Sequence, residues 1–436
     1  MSQRSPSAHT TAWQSAFSVA SATHVGMRRR NNQDHHGVFL AGDESAWKKF
    51  GHLLIVADGM GAHAAGELAS QLSVELIPHH YRKLVRGLHA DALHQALTET
   101  NAEIFRRGQA NPEFRSMGTT TCALAIVPEG ALIAHVGDSR VYRLRGAQLE
   151  QLTFDHSLVW EMRASGELSE EAIRNSTIPK NVITRSLGPN ANVMVDIEGP
   201  FPLRLGDKFL LCSDGLSGQL SDEEIGVLLQ VLDRDTAVQA MVDIANLRGG
   251  PDNITVVVGE VTSDAIVDTK TPSGTSAART SSHYPLPFGI AAAVAILLSI
   301  VLLALQQFPI ALLALAAAAV AFASGWYKYQ STSTPSERPA NGFGKSPYRR
   351  IACKPDRAFT ENLAQVVSEL EAWFDENHWS TASQELSTAR EQAKRAQKES
   401  RYADSIRSFV QVIMIMMREA RVHQSESPDD SETIDY

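Results

Sequence analysis

Four aspartates lie at the ends of short apolar segments and have glycine beside or near them. They are Asp58 in VADGMG, Asp138 in HVGDSR, Asp214 in CSDGL and Asp252 in GGPDNITV. Glycine lets the backbone pass close to another group, and its carbonyl oxygen can itself bind a cation. Carboxylates that gather at strand ends repel one another unless cations neutralise them, and a set of oxygen ligands favours Mg²⁺ or Mn²⁺. The pattern predicts a binuclear metal site.

The apolar segments indicate which elements position these aspartates. Runs such as HLLIVA, TTCALAIV, ALIAHV, KFLLCS and NITVVVGEV are typical of buried strands. Helices are predicted for ELASQLSVELIPHHYRKLV, ADALHQALTETNAEIFRRGQ and SDEEIGVLLQVL, the last one opened by Ser221. Strands and helices in this proportion indicate a layered α+β domain. Taken alone, Asp58 could instead cap a helix that begins nearby, because Asp is a good N-cap residue.

The composition excludes several other classes of protein. The 436 residues are 43% hydrophobic and 20% charged, which is ordinary for a globular chain of two or three domains. With 40 basic and 49 acidic residues the formal charge is −9, and Lys and Arg form no dense cluster with interleaved aromatics, so nucleic acid is not an expected partner. Cys122, Cys212 and Cys353 are far apart and odd in number, which favours a reduced, cytosolic setting over a disulfide framework or a zinc site.

Eight motifs occur in the order found in the metal-dependent type 2C protein serine/threonine phosphatases (PPM-type), and the sequence most resembles the bacterial branch of that family. The resemblance covers about residues 15–262. The motifs are RRNNQD (29–34), DGMGAHAAGE (58–67), GTTT (118–121), AHVGDSRVYRL (134–144), DHSLV (155–159), NVITRSLG (181–188), SDGL (213–216) and GPDNITV (250–256).

The resemblance implies a four-layer α-β-β-α sandwich with two antiparallel sheets face to face and a metal cluster in the cleft at one end. It also implies hydrolysis of phosphoserine and phosphothreonine in proteins, Ser/Thr kinases among them, by a hydroxide that bridges two Mn²⁺ or Mg²⁺ ions, with a third, weaker metal site. The resemblance implies that Asp58 bridges both ions and that the Gly59 carbonyl binds one of them. It implies that Asp214 and Asp252 complete the shell of the second ion, that Asp34 binds metal-bound water, and that Asp138 together with Asp214 binds the third ion. Arg29 is implied to bind the phosphate oxygens.

The sequence leaves open which group donates a proton to the leaving oxygen. Where eukaryotic members of the family have a histidine two residues after the first metal aspartate, this chain has Met60, as is usual in bacterial relatives. His63 lies nearby and is the candidate general acid, which makes Arg29, Asp34 and His63 the predicted catalytic residues. A histidine near a helix start could equally be structural, or orient metal-bound water. Residues 155–188 match the variable flap beside the cleft and are expected to influence which phosphoprotein is accepted.

Two uncharged apolar stretches follow the predicted phosphatase domain (15–262) and a flexible linker (263–285). They run from 288 to 305 and from 308 to 326, each close to the roughly 20 residues that span a bilayer as a helix. We therefore expect a two-helix transmembrane hairpin at 286–327. Basic residues flank it and none lies in its connecting loop, which predicts a two-pass protein of the inner cell membrane with the catalytic domain and the C-terminus cytoplasmic. The alternative is a pair of buried helices in an alanine-rich bundle.

The rest of the chain is predicted as a basic linker (328–356), a helical cytoplasmic region (357–424) and an acidic tail (425–436), with a disordered N-terminus at 1–14. The predicted helices are amphipathic. Their apolar stripes are either core or a docking surface for a protein partner. A rival function is a catalytically silent scaffold of the same fold. A further possibility, compatible with an active phosphatase, is a membrane signal transducer whose C-terminal helices bind a partner while the phosphatase is the output. The retained aspartates argue against the silent scaffold, because clustered carboxylates are costly to keep.

Overall fold

The computed structural model describes residues 16–61, 64–166, 182–267, 342–379 and 383–426, together with the single residues 308, 316 and 319. Residues 1–268 and 341–436 belong to one compact unit, and residues 269–340 to a second. The second unit lies almost entirely outside the described residues. The same holds for the predicted disordered N-terminus and nearly all of the predicted acidic tail.

In the described residues, antiparallel strands form two sheets. Sheet one has the order β1-β11-β10-β7-β8-β12, and sheet two has the order β2-β3-β5-β6-β9 with β4 paired to β3. The strands are β1 (Phe17–His24), β2 (Asp34–Phe39), β3 (His52–Met60), β4 (Gly118–Thr119), β5 (Thr121–Val127), β6 (Gly130–Val136), β7 (Arg140–Arg145), β8 (Gln148–Gln151), β9 (Asp196–Phe201), β10 (Lys208–Cys212), β11 (Ile254–Val261) and β12 (Arg349–Ala352).

The central strands are apolar throughout because both of their faces are covered. In β5, Cys122 and Leu124 belong to the core between the two sheets, whereas Ala123 and Ala125 belong to the core between sheet two and its helices. Successive side chains of a strand point to opposite faces, so a strand with helices on one side and a second sheet on the other buries every residue. This explains runs such as TCALAIV, in which all seven residues are buried.

Helices cover the outer faces of both sheets. Helices α2 and α3 pack on sheet two, and helices α6 and α7 pack on sheet one. The predicted α-β-β-α sandwich of the catalytic domain is thereby confirmed. The helices described in this domain are α1 (Glu44–Phe50), α2 (Ala65–Leu84), α3 (His89–Ala110), α4 (Leu158–Ala164), α5 (Asp214–Ser217), α6 (Asp222–Val231) and α7 (Arg234–Leu247).

The C-terminal region packs on the outer helical layer of sheet one. It consists of α8 (Arg357–Glu376), α9 (Gln384–Lys398) and α10 (Tyr402–Glu426). Their apolar stripes, with Leu363, Phe374 and Phe409, belong to the same core cluster as Leu228 of α6 and Met241 of α7. The stripes are therefore core of this molecule. Residues 349–352, which lie in a stretch whose composition predicts a linker, form β12 on the free edge of β8.

The transmembrane hairpin is the part of the predicted fold class that is contradicted. Within the residues that the structure describes, no helix combines the length and the apolar character needed to cross a bilayer. On this finding, the prediction of a transmembrane hairpin at 286–327 is wrong, and so is the two-pass inner-membrane location that depends on it. Nearly all of that stretch is itself outside the described residues. Both segments are rich in alanine, whereas Leu, Ile, Phe and Val supply most of the free energy of transfer into lipid, so their length alone does not specify a membrane span.

Candidate metal centre and active site

Strand pairing brings two aspartates of the motifs opposite each other. Strands β2 and β3 are antiparallel, and their register places Asp34 opposite Asp58. The threonines of GTTT hold the backbone of Asp58: its carbonyl accepts from Thr120 N–H and from Thr119 Oγ1, both at 2.9 Å, and its N–H donates to Thr120 Oγ1 at 3.1 Å. The carboxylate of Asp58 therefore starts from a fixed backbone position near the end of β3.

Gly59 lies where the chain passes close to two other backbone segments. Its N–H donates to Gln33 O at 3.1 Å. A Cβ at this position would overlap the Gly66 carbonyl and lie 2.6 Å from Gln33 O. Glycine is therefore required here for packing, independently of any cation that the Gly59 carbonyl binds.

Three further aspartates reach the same end of the sandwich from other strands. Asp214 begins the short helix α5 after β10, Asp252 precedes β11, and Asp138 follows β6. Ser213 connects the two sheets, because its Oγ donates to Asp34 Oδ2 at 2.7 Å and accepts from a backbone N–H of β11 at 2.9 Å. The structure thus brings together the aspartates that the sequence singles out.

Four of these aspartates, Asp34, Asp58, Asp138 and Asp214, are desolvated and close enough to other carboxylates to be repelled by them. Burial raises the pKa of Asp34 to about 7, and the carboxylates of Asp214 and Asp252 act in the same direction. Burial, followed by repulsion from Asp214, also raises the pKa of Asp138 to about 7. The pKa of Asp58 is raised well above its ordinary value, first by burial and then by the surrounding carboxylates. A bound cation would offset both effects, because it favours the charged form of each carboxylate.

Several carboxylate oxygens of the cluster lack protein partners, as a cation site requires. Among the described side chains, Asp34 Oδ1, Asp138 Oδ1 and Asp214 Oδ1 are buried without a hydrogen-bond partner. Such atoms are costly unless another group satisfies them. In the same part of the chain, no three acidic, histidine or cysteine side chains are arranged as a ready ligand set for one ion. Mg²⁺ commonly takes one or two carboxylates and keeps several waters, so the donors present fit such an ion without three converging side chains.

Two further side chains belong to the predicted site, those of Arg29 and His63, and the structure describes the first of them. Arg29 Nη2 donates to Asp252 Oδ2 at 2.7 Å, and about half of the Arg29 side chain (49%) is exposed. The guanidinium therefore lies at the rim of the aspartate cluster. His63 is outside the described residues, so its role as a general acid stays a prediction.

A cavity of about 500 Å³ adjoins the cluster and has Asp138, Asp214 and Trp160 in its walls. Arg140 also lines it and is fixed by Asp155, to which it donates from Nε at 3.0 Å and from Nη2 at 2.7 Å. The Arg140 guanidinium lies 5.6 Å from the centroid of the Trp160 ring, within reach of a cation–π contact. The cavity therefore combines two aspartates of the cluster with a fixed guanidinium and an aromatic surface.

Sequence reasoning missed three residues that hold the site together. Thr120 fixes the backbone of Asp58, Ser213 bonds Asp34, and Arg140 neutralises Asp155. Each lies inside a quoted motif, and Ser213 and Arg140 lie one and two residues from a singled-out aspartate. A hydroxyl or a guanidinium next to such an aspartate could have indicated a supporting residue. The sequence does not show which group it binds, because that group belongs to another motif.

Comparison with known protein families leads to the same family as the sequence motifs. A sequence model of the family Protein phosphatase 2C matches residues 27–246. The chain belongs to the protein phosphatase 2C family. The matched range includes four of the five aspartates of the cluster, and Asp252 follows it by a few residues.

Relatives agree with this placement. A putative protein phosphatase 2C-type of Streptococcus pyogenes is 37% identical over 246 residues, which are 55% of this chain and 96% of the relative. The serine/threonine phosphatase stp of Listeria monocytogenes is 38% identical over 244 residues, which are 55% of this chain and 93% of the relative. A solved structure of the S. agalactiae serine/threonine phosphatase is 37% identical, with a TM-score of 0.50 over 56% of this chain and 99% of that chain. The protein is thus a serine/threonine phosphoprotein phosphatase, as predicted.

Proposed function

We propose that this phosphatase hydrolyses phosphoserine and phosphothreonine esters with divalent cations held by the aspartates at one end of the sandwich. The observation that supports this most is the set of buried aspartate oxygens without protein partners, which come from the ends of strands in both sheets. An all-oxygen donor set suits Mn²⁺ or Mg²⁺. When bound, two such cations supply a hydroxide nucleophile at neutral pH and neutralise the charge of the phosphoryl group.

The chain's own groups have distinct roles in this proposal. Asp58 is the central ligand, because Asp34 of its own sheet and Asp214 after a strand of the other are the two carboxylates that raise its pKa most. Asp34 is oriented by the Ser213 hydroxyl, which binds Oδ2 and leaves the buried Oδ1 available for metal-bound water. The proposed ligand set comprises Asp58, the Gly59 carbonyl, Asp214 and Asp252 for two ions, Asp34 for a water of that pair, and Asp138 with Asp214 for a third, weaker ion.

Arg29 binds the substrate phosphate in this proposal. Its guanidinium is partly exposed at the rim of the cluster and already donates to a carboxylate there. A planar guanidinium binds carboxylate and phosphate oxygens in the same two-point geometry, so a phosphate can take over or share this contact. Which phosphoproteins are bound, including the Ser/Thr kinases expected from the sequence, stays a prediction.

Substitution of Asp58 by Asn tests the ligand assignment. Asn keeps the volume but removes the charge, so we expect Mn²⁺-dependent hydrolysis of a phosphothreonine peptide to fall by about 10²-fold or more. Calorimetric titration should show weaker Mn²⁺ binding by the variant. The melting temperature in a chelator should not fall, because repulsion among the carboxylates is relieved.

An exposed aspartate on α3 provides the control for this experiment. Asp91→Asn removes the same charge far from the cluster in sequence and should leave both activity and Mn²⁺ binding unchanged. Equal activity and equal Mn²⁺ binding in Asp58→Asn and the wild type would exclude the assignment. A large drop of the melting temperature in Asp58→Asn would instead indicate a structural role for this carboxylate.

A further inference from the structure

The chain returns to the phosphatase domain along residues 342–353, which we call the return segment. Phe343 pairs with Gly199 of β9 through backbone bonds of 2.6 and 3.3 Å. Gly344 has a φ of 75°, and a Cβ there would overlap the Glu198 carboxylate. The path of the segment is therefore specified by close contacts with β9.

A buried carboxylate anchors the return segment. Glu198 is only 2% exposed, and it accepts from Ser346 N–H at 3.0 Å and from the Tyr348 hydroxyl at 2.5 Å. A buried carboxylate is costly unless hydrogen bonds satisfy it, and here the return segment supplies them. Glu198 of the catalytic domain and the return segment therefore depend on each other.

From Glu198 the return segment runs past the base of the flap to the edge of sheet one. The Tyr348 ring lies 5.4 Å from that of Phe154, and Phe154 lies 5.5 Å from Trp160 of α4. Strand β12 then pairs with β8. The segment thus connects the flap with the edge of the sheet that borders the cleft.

Alternation along β12 directs two adjacent arginines to different partners. Arg350 Nε donates to Glu150 Oε1 at 3.2 Å, whereas Arg349 Nη1 lies 2.5 Å from Asp222 Oδ2. Neighbouring side chains of a strand point to opposite faces, which explains the difference. Arg349 lines the 500 Å³ cavity that also has Asp138 in its wall. A residue beyond the matched family range (27–246) therefore contributes to the cleft.

The Arg349 guanidinium has capacity for a further anion. Its partner Asp222 also accepts from the Tyr142 hydroxyl at 2.8 Å and lies 3.4 Å from Arg140 Nη1, so its charge does not depend on Arg349 alone. A guanidinium carries five N–H donors. The Nη1 of Arg349 forms an ion pair with Asp222 Oδ2, an oxygen that accepts no hydrogen bond among the described residues. The Arg349 side chain is 42% exposed, against 14% for Arg140. Arg349 is therefore more accessible than Arg140. A third arginine in the wall, Arg163, lies 5.5 Å from the centroid of the Trp160 ring.

We propose that Arg349 is a substrate-binding residue whose guanidinium binds the carboxylate of an Asp or Glu near the phosphorylated Ser or Thr of the substrate. This rests on the proposed function, because it places the phosphoryl group at the end of the cavity that has Asp138 and Asp214 in its wall. A second phosphate group on the substrate is also an anion that Arg349 could bind. The experiment distinguishes it from a carboxylate by comparing phosphoserine with Glu at the same position. Glu223 lies in the same wall, so a preference for basic substrates is the opposing outcome.

The experiment compares phosphothreonine peptides that differ at one flanking position, scanned on both sides, with Glu, Gln, Lys or phosphoserine. Each is hydrolysed by the full chain with Mn²⁺, and p-nitrophenyl phosphate serves as a substrate without flanking residues. We expect the best-placed Glu to raise kcat/KM over Gln about five- to tenfold, mainly through KM. Arg349→Ala should abolish this ratio and Arg349→Lys should retain part of it, because lysine keeps the charge but not the planar fork.

Arg350→Ala is the matched control, since it removes the adjacent arginine, which pairs with Glu150. It should keep the Glu/Gln ratio of the wild type. Arg350→Ala should also hydrolyse p-nitrophenyl phosphate and the Gln peptide at the wild-type rate. For the Arg349 variants the Glu/Gln ratio is taken within each enzyme, which separates the flanking contact from the activity of the proposed metal centre. If Asp58→Asn keeps full activity, the proposed metal centre is contradicted, whereas the proposal for Arg349 is not.

Three results would overturn the proposal. The first is equal kcat/KM for Glu and Gln peptides at every position in the wild type, or a preference for Lys, and this comparison needs no variant to fold. The second is a Glu/Gln ratio in Arg349→Ala that equals that of the wild type, or an equal loss in Arg350→Ala. The third is a gain with phosphoserine but none with Glu, which would assign the site to a second phosphate.

Discussion

Asp252 is the residue at which two proposed roles meet. Its Oδ2 accepts from Arg29 Nη2 at 2.7 Å, and it is also a proposed metal ligand. Both side chains are partly exposed, so the ion pair contributes little to the stability of the fold. Arg29 can therefore exchange its contact with Asp252 for phosphate oxygens at small cost, as a substrate clamp requires.

Replacement of Arg29 by Ala should mainly raise KM for a phosphothreonine peptide, by about tenfold, with a smaller fall in kcat. The reason is that a phosphate clamp acts in the ground state as well as in the transition state. Steady-state kinetics at saturating Mn²⁺ measure both constants. Arg28→Ala, at the exposed neighbouring position, is the control and should leave both unchanged. An unchanged KM with a large fall in kcat would show instead that Arg29 acts only in the transition state.

The return segment lies close to α6 because the helix has a glycine at the point of contact. Gly226 lies in the middle of α6, where glycine is otherwise unfavourable in a helix. A Cβ at this position would overlap Cys353 Sγ at the end of the return segment and lie 3.3 Å from Leu149 Cβ of β8. Cys353 is buried, and its N–H donates to Ala147 O at 2.8 Å, so it has little freedom to move. Gly226 thus permits β12 to approach the helix.

The substitution Gly226→Ala should lower the free energy of unfolding by about 1–3 kcal/mol, although Ala in a helix is otherwise favoured over Gly by roughly 0.5–1 kcal/mol. The overlap with Cys353 outweighs the helix propensity. Cys353→Ala removes the Sγ, so the loss should be partly recovered in the double variant. Urea unfolding of the two single variants and the double variant gives the coupling energy. A stabilising Gly226→Ala, or additive effects, would mean that β12 moves away without cost.

The sequence predicted the strands and helices that have a hydrophobic pattern of their own. It missed the elements that form only because they pair with a strand far away in the sequence. Strands such as β5 and helices such as α2 have long apolar runs or periodicity, and the aspartates at strand ends were recognisable from their glycines. Strand β12 has four residues, RRIA, with no alternation that marks a strand. Its position depends on the free edge of β8, about two hundred residues earlier, and no local pattern contains that information. Arg349 was missed as a cleft residue for the same reason.

One apolar core joins the catalytic domain and the C-terminal helices. It contains Leu210 and Val256 of sheet one, Met241 of α7, and Phe374 and Phe409 of the C-terminal helices. The sequence predicted the amphipathic stripes but not what they pack against, because a stripe specifies a buried face and leaves its partner open. The C-terminal helices are therefore part of the structure that supports sheet one.

An ion pair between a buried carboxylate and a partly exposed arginine joins α7 and α10. Asp243 of α7 is 1% exposed, and its Oδ1 accepts from Arg421 of α10 and from Gln239 Nε2 at 2.9 Å. Burial raises the pKa of Asp243 to about 6, and the attraction of Arg421 only partly opposes this. Removing a charge at this position therefore has an effect that depends on pH.

Stability should depend on Asp243 between about pH 4 and pH 6. In this range the folded protein keeps the Asp243 proton, whereas the unfolded chain has released it, so the stabilising contribution is complete below pH 4 and is lost as the pH rises through 6. The difference in unfolding free energy between the wild type and Asp243→Asn should fall by roughly 2–3 kcal/mol over this window, because each pKa unit corresponds to about 1.4 kcal/mol. Urea unfolding at half-unit pH steps measures it.

Two variants decide whether this pH dependence comes from this ion pair. Asp235→Asn, at an exposed position in the first turn of α7, should give a curve parallel to that of the wild type. Arg421→Ala should extend the window to higher pH, because the attraction that opposes the raised pKa of Asp243 is removed. If the curves of the wild type and Asp243→Asn are parallel from pH 4 to 6, or if Arg421→Ala shifts the window to lower pH, the carboxylate is not desolvated and α10 does not close over α7 in solution.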